Sequence, residues 1–385
     1  MRDFDQILQA GIERGAAAGV SAVVVNREGT IWQGAAGERS LGGGDPMTTD
    51  TVGAIFSMTK AITSTAAMQC VERGQLELDT PASKVLPELG DPHVLTGFDD
   101  DGQPVTRPAA GEVTLRQLLT HTSGYTYPMW DANLLRWYQA TETPFIGTET
   151  RASLQTPLAF DPGTQWAYGI GTDWVGLLVE AASGQTLGEY FAEHVTGPLG
   201  MTSTVFEATP DIESRLAAMH LRLDDGTLNP VDRPRPQDPE FEGGGGGLRA
   251  SMEDYGRFIR MFLNDGELDG ARILSPDTVA LMVTNNIGDL RVSKLETVMP
   301  SLSNDAELFP GDEKTWGLAF QINEVAGFTG RPAGTVMWAG LGNSYFWIDR
   351  ENGIGGAYLS QILPFVDEGS IDLFYELERA VYESL

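Results

Sequence analysis

The sequence predicts an α/β chain of the α+β type: an antiparallel sheet built from both chain ends, flanked by helices, with a mostly helical domain inserted between them. Two strand-like runs near the start, Val20 to Asn26 and Thr30 to Ala36, are joined by the hairpin signal Arg27-Glu28-Gly29. Short β-rich runs return only after Trp316, and from Gln75 to about Gly311 the pattern is mostly helix and long loop. Two ends of like character around a different middle imply one sheet shared by residues 1–74 and 312–385, with 75–311 as the inserted domain. A chain of 385 residues exceeds the usual single core. A ligand site is expected in the cleft between the two parts.

The elements follow in order. Met1 to Arg14 reads as an amphipathic helix with Phe4, Ile7, Leu8 and Ile12 on one side. After the first hairpin, a Gly-rich loop from Glu38 to Asp50 leads to Ser57 and an apolar helical run, Met58 to Cys70, that ends near Gly74. Val113 to Leu119 leads into His121-Thr122-Ser123-Gly124. Helices are predicted at Asn133 to Ala140, at Thr172 to Ala182 closed by Ser183-Gly184, and at Leu187 to His194. Pro230 to Gly247 breaks the pattern. Because Leu248 to Phe262 resumes at once as a helix, Gly243 to Gly247 is read as a tight backbone passage and not as a linker. Strands follow at Trp316 to Glu324, Gly334 to Trp338, Ser344 to Asp349 and Ile354 to Leu363. The last two are separated by the turn Arg350-Glu351-Asn352-Gly353, and a helix from Gly369 to Tyr382 closes the chain.

Composition excludes several function classes. With 54 acidic and 25 basic residues the net charge is −29, which repels nucleic acid and anionic membrane surfaces, so neither is expected as a partner. The single Cys70 lies in the apolar helical run and has no internal disulfide partner. Neither a signal peptide nor a membrane span is read, and a cytoplasmic location is expected. There is no H-E-x-x-H and no C-x-x-C, the four His are scattered, and Asp99-Asp100-Asp101-Gly102 lacks the later spacing of a calcium loop. No metal or cofactor is expected.

The chemistry is read from Ser57-Met58-Thr59-Lys60. On a helix, positions i and i+3 share a face, so a hydroxyl and an amine meet. An amine activates a serine when burial or nearby positive charge lowers its pKa from about 10.4. With four Lys and 19 Ser in the chain, fewer than one such pair is expected by chance. No G-x-S-x-G elbow is present, so a Ser-His-Asp reading through His121 lacks its central motif.

Further segments occur in order: Leu118-Leu119-Thr120-His121-Thr122-Ser123-Gly124, Pro162-Gly163-Thr164-Gln165-Trp166-Ala167-Tyr168, Pro198-Leu199-Gly200-Met201, Gly244 to Leu248, and Trp338-Ala339-Gly340. Together with Ser57 to Lys60 they resemble the class C β-lactamase-related serine hydrolases, and among these the family VIII carboxylesterases. The resemblance spans about Val20 to Leu363 and implies a β-lactamase-like fold. It implies Ser57 as acylated nucleophile and Lys60 as holder of the proton relay. Tyr168 is implied as general base and then general acid, on the argument that a nearby ammonium eases loss of the phenol proton. The backbone amides of Ser57 and Leu341 would form the oxyanion hole.

Two departures bear on the substrate. Where the resembling lactamases carry K-T-G, this chain has Trp338-Ala339-Gly340, replacing a cation that holds a β-lactam carboxylate by an apolar wall. Where they carry Y-x-N, the third position is Ile170. Both favour a small neutral ester over an anionic lactam. Tyr125, Tyr127 and Trp130, with Trp338 and Gly340, are the expected pocket residues. The rival activities on the same scaffold are a weak β-lactamase, a D-alanyl peptidase, an amide hydrolase and an acyltransferase. From a different class, a ligand-binding relative without turnover predicts damage to Ser57, Lys60 or Tyr168, and all three are intact.

Overall fold

Strands with both faces buried need a helical layer on each side. The computed structural model, which describes residues 4–232, 236 and 239–385, has this arrangement. Its main sheet is antiparallel and seven-stranded: β1 (Gly19–Asn26), β2 (Thr30–Gly37), β3 (Lys314–Trp316), β4 (Gln321–Asn323), β5 (Val336–Gly340), β6 (Ser344–Asp349) and β7 (Ile354–Leu359). The order across the sheet is β3-β4-β5-β6-β7-β1-β2, so the two ends of the chain join where β7 pairs with β1.

Register assigns the faces. Ala22, Tyr358 and Tyr345 lie in one row and turn toward Phe374 of the last helix, Glu368–Tyr382. Val23, Ala357 and Phe346 form the next row and turn the opposite way, where Phe346 meets Tyr255 of the helix Met252–Leu263. Alternation along a strand fixes this two-sided burial. Helix α1 (Phe4–Glu13) packs beside the last helix on the first face. The sequence reading places 252–263 in the inserted part, yet this strongly amphipathic helix lies directly on β1, β6 and β7.

Helix α2 (Thr59–Glu72) is buried on every side from Thr59 to Cys70, and it packs against α3 (Gly171–Ser183). Both helices come from runs with few charges, as a helix with no solvent face requires.

Several elements differ from expectation. Residues 249–251 do not continue a helix. They pair with Val52–Ala54 as a short strand, and Ser251 caps the helix that follows by accepting the Asp254 N–H. The run predicted as one strand over Trp316 to Glu324 is broken by a turn in which Gly317 N–H donates to the Phe320 carbonyl at 2.8 Å, and a Cβ on Gly317 would sit 2.1 Å from the Met282 carbonyl oxygen. The run Ile354 to Leu363 breaks at Gln361, which takes φ of 57°, and Ile362–Leu363 pairs in parallel with His220–Leu221. Two hairpins, His93–Phe98 with Pro104–Pro108 and Met219–Arg222 with Leu228–Val231, occupy the stretch read as helix and loop. Part of the Pro230 to Gly247 stretch lies outside the described residues. Within it, Gly243–Gly247 forms a turn packed on α2 and α3.

One buried ion pair ties the last helix to the sheet. Arg331 Nε donates to Glu378 at 2.7 Å, with both side chains wholly buried. Arg331→Leu leaves a buried carboxylate alone and is expected to lower the unfolding free energy by about 3–5 kcal/mol, with Glu378→Leu added to it restoring most of the loss. Equilibrium urea denaturation of both variants checks this.

Candidate active site

The site begins with a strained turn. Val52–Ala54 is pinned by Gln361, whose side-chain amide accepts from Ala54 N at 2.9 Å and donates to Ala54 O at 2.8 Å. Phe56 then takes φ of 44°, a left-handed conformation that costs a non-glycine residue on the order of 1–3 kcal/mol. The turn Phe56–Met58 leads into α2, and Tyr255 Oη holds it by donating to Met58 O at 3.0 Å.

Two close approaches depend on glycine. A Cβ on Gly340 would lie 2.2 Å from the Ile55 carbonyl oxygen, so the end of β5 reaches the Ser57 turn only because position 340 has no side chain. A Cβ on Gly245 would lie 2.3 Å from Asp173 Oδ2.

Ser57, Lys60 and Tyr168 come together. Lys60 Nζ lies 3.2 Å from Ser57 Oγ, 3.0 Å from Tyr127 Oη and 2.6 Å from the Gly245 carbonyl oxygen. Ser57 and Tyr168 line the same cavity, and Trp338 Nε1 donates to Tyr168 Oη at 2.9 Å. Ser57 and Leu341 share the wall of this cavity, of about 670 Å³, with Tyr127, Met129, Trp130, Tyr168 and Trp338. Ser57 is the second residue of the helical turn Phe56–Met58, where backbone N–H groups have no intrahelical acceptor, so its amide is available to an oxyanion.

The arrangement joins an amine, a hydroxyl pair and a helix start at one end of a cavity, and known proteins share its sequence. The beta-lactamase family profile matches residues 4–380. The chain belongs to the beta-lactamase family. It is 32% identical to a lovastatin esterase of Penicillium rubens over 98% of this chain and 98% of that one. It is 32% identical to a monacolin J acid methylbutanoyltransferase of Aspergillus terreus over 88% of this chain and 83% of that one. Among solved structures, a mutant of simvastatin synthase from Aspergillus terreus superposes with a TM-score of 0.85 at 28% identity, covering 99% of this chain and 96% of that one. This is an enzyme fold of serine hydrolases and acyltransferases, with the helices and antiparallel sheet described above.

Within this beta-lactamase-family site, burial sets the protonation states. Desolvation lowers the Lys60 pKa to about 8, and the Asp173 charge opposes it. The three contacts of Nζ match the three donors of an ammonium; on losing a proton the amine can keep its bonds to the Gly245 carbonyl and Tyr127 Oη and turn its lone pair toward Ser57. Desolvation raises the Tyr168 pKa above its ordinary 10, and the nearby Ser57 hydroxyl and the bond from Trp338 only partly offset this. The expectation that a neighbouring ammonium eases ionisation of the phenol is therefore corrected. Burial thus makes the Lys60 ammonium easier to deprotonate and the Tyr168 phenol harder.

Other expectations also change. Trp338 is a wall residue, but its indole N–H is a polar tether for Tyr168. Tyr125 is buried against Trp174, with ring centroids 6.0 Å apart, behind the cavity wall formed by Tyr127 and Trp130. Gly340 presents no surface to a ligand and acts by its close approach. His121 makes no hydrogen bond to Ser57. Its ring packs 4.5 Å from that of Tyr168, its Nδ1 accepts the Gly169 N–H at 3.4 Å, and burial pushes its pKa well down, so it is neutral. Ile170 is fully buried at the start of α3.

Sequence reasoning missed Asp173 and Gln361. A carboxylate at the very start of the apolar run Thr172 to Ala182 was the available signal for the first. Gln361 gave none.

Two outcomes follow. If the active form holds Lys60 neutral, kcat/KM for a neutral ester rises with pH and levels off above an apparent pKa of about 8, the value burial gives Lys60. A pH–rate profile checks this. Trp338→Phe keeps a ring and deletes the donor to Tyr168. It is expected to lower kcat roughly 2- to 10-fold, the range of a net hydrogen bond, with KM little changed.

Proposed function

We propose that the protein cleaves carboxylic esters of neutral acyl groups through a Ser57 acyl-enzyme, as a family VIII-type carboxylesterase. Lys60 accepts the Ser57 proton, the amides of Ser57 and Leu341 receive the oxyanion, and the protonated Tyr168 gives a proton to the leaving alcohol. The proton held by Lys60 passes back to Tyr168 by way of the serine oxygen, and water then attacks the acyl-enzyme, giving its proton to Lys60, which returns it to Ser57 Oγ as the acid leaves. The observation that carries this reading is the Trp338 to Tyr168 hydrogen bond, which puts a neutral donor at the strand position where the resembling lactamases hold a lysine. A lactam carboxylate finds no cation there, and a neutral ester finds an aromatic wall.

The cavity of about 670 Å³ is drug-sized and exceeds what a short acyl chain fills. A bulky alcohol portion is the proposed occupant of the remainder, and the relation to a lovastatin esterase supports this. Acyl transfer is a second reading. The methylbutanoyltransferase relative supports it, and the two reactions differ only in whether water or an alcohol reaches the acyl-enzyme.

The test is a paired assay of p-nitrophenyl butyrate and a chromogenic cephalosporin on wild type and Ser57→Ala, with and without an added alcohol. Fast Ser57-dependent ester cleavage with slow lactam opening is expected. Lactam opening as fast as ester cleavage contradicts the role given to Trp338. Transfer is read from the ester product formed when alcohol is present: a product rate exceeding acid release assigns the enzyme to acyl transfer.

A further inference from the structure

A carboxylate buried beside the amine is not accounted for by the roles above. Asp173 lies in the first turn of α3, is 3% exposed, and reaches the wall of the catalytic cavity. Its Oδ1 accepts the Gly245 N–H at 2.8 Å, and its Oδ2 has no hydrogen-bond partner. Gly245 in turn offers its carbonyl oxygen to Lys60 Nζ at 2.6 Å. One glycine thus carries the carboxylate on its N–H and the lysine on its C=O. The same turn is fastened to α2 one residue earlier, where Thr63 Oγ1 donates to the Gly244 carbonyl at 2.7 Å.

We propose that Asp173 is a positioning residue for Lys60, acting through Gly245. It fixes the carbonyl that orients the amine toward Ser57, and its charge stabilises the ammonium formed when Lys60 takes the serine proton. The role parallels that of the carboxylate behind the base in a catalytic triad, with a peptide group between the two. The inference rests on the Ser57 acyl-enzyme reading.

The packing argues against a purely structural role. A buried carboxylate that served only to hold a glycine turn needs its second oxygen satisfied, because an unpartnered buried charge is costly. Here Oδ2 has no second hydrogen bond, and the charge that offsets it is the ammonium that Lys60 becomes on taking the serine proton. The other titratable groups facing this pair are Tyr127 and Tyr138, Tyr168, the neutral His121 and, along the same turn, Glu149 beside Gly243. Burial keeps the phenols protonated and pushes the Asp173 carboxyl above its ordinary range, with the Lys60 charge and the Gly245 N–H opposing that rise. Of these groups, Asp173 is the one whose charge acts on Lys60.

The experiment measures the rate constant for labelling of Ser57 by a serine-directed phosphonate, against pH. A rate constant per site does not depend on how much of a variant folds. Asp173→Asn keeps an acceptor for the Gly245 N–H and removes the charge. Its acid limb is expected to move about one unit lower in pH, since loss of an opposite charge lowers a lysine pKa. Asp173→Ala also removes the acceptor and is expected to label about 10²-fold more slowly, the lower end of what a positioned base contributes. Gly245→Ala keeps the charge but drives a Cβ into Asp173 Oδ2, and slower labelling is expected. An Asp173→Asn profile superimposable on wild type, or a Gly245→Ala variant labelled at the wild-type rate, overturns the proposal. Failure of the underlying reading looks different: Ser57→Ala would still be labelled, or Lys60→Met would be labelled at the wild-type rate.

Discussion

A lysine amine taken out of water is the constraint on which the site depends. Burial disfavours the ammonium, and the partners around Nζ in this protein, a carbonyl and two hydroxyls, are neutral. A carboxylate in direct contact would restore the ordinary pKa and leave Lys60 unable to accept a proton near neutrality. Asp173 instead stands behind the Gly245 peptide, near enough to matter and too far to form a salt bridge. The same dryness keeps the tyrosines protonated, so one physical cause separates the proposed acceptor from the proposed donor.

The scaffold holds this pocket by backbone approaches that few side chains permit. Phe56 is strained, Gly340 touches Ile55, and Gly245 touches Asp173. Strain of this kind persists only when the surroundings over-determine it, and Gln361, Tyr255 and the end of β5 do so here. The seven-stranded sheet matters to chemistry chiefly because it aims β5 at the Ser57 turn from one side, while the helix Met252–Leu263 supports that turn from the other.

Much of this was legible in the sequence, and the rest was hidden for identifiable reasons. Period and turn signals located the first hairpin and the long helices, because runs such as Thr172 to Ala182 are apolar enough to fix their own type. The two inner hairpins were missed because short strands with Pro and Gly, such as Pro104–Pro108, lack the alternation that marks a strand. Ser57, Lys60 and Tyr168 could be named from spacing and resemblance. Their protonation states could not, since the argument for an easily ionised Tyr168 counted a neighbouring charge and not the desolvation that outweighs it. Tyr125 and Tyr127 are two residues apart and read alike. Only packing shows that one faces Trp174 and the other Lys60.

The most direct measurement is a titration of the lysine side chains by NMR with 13C at the ε carbon. The chain has only four lysines, so the Lys60 signal is assigned by its loss in Lys60→Met. A Lys60 resonance titrating near the value of about 8 set by burial supports a neutral amine as the proton acceptor for Ser57. A Lys60 resonance titrating at the ordinary value of about 10.4 would contradict it.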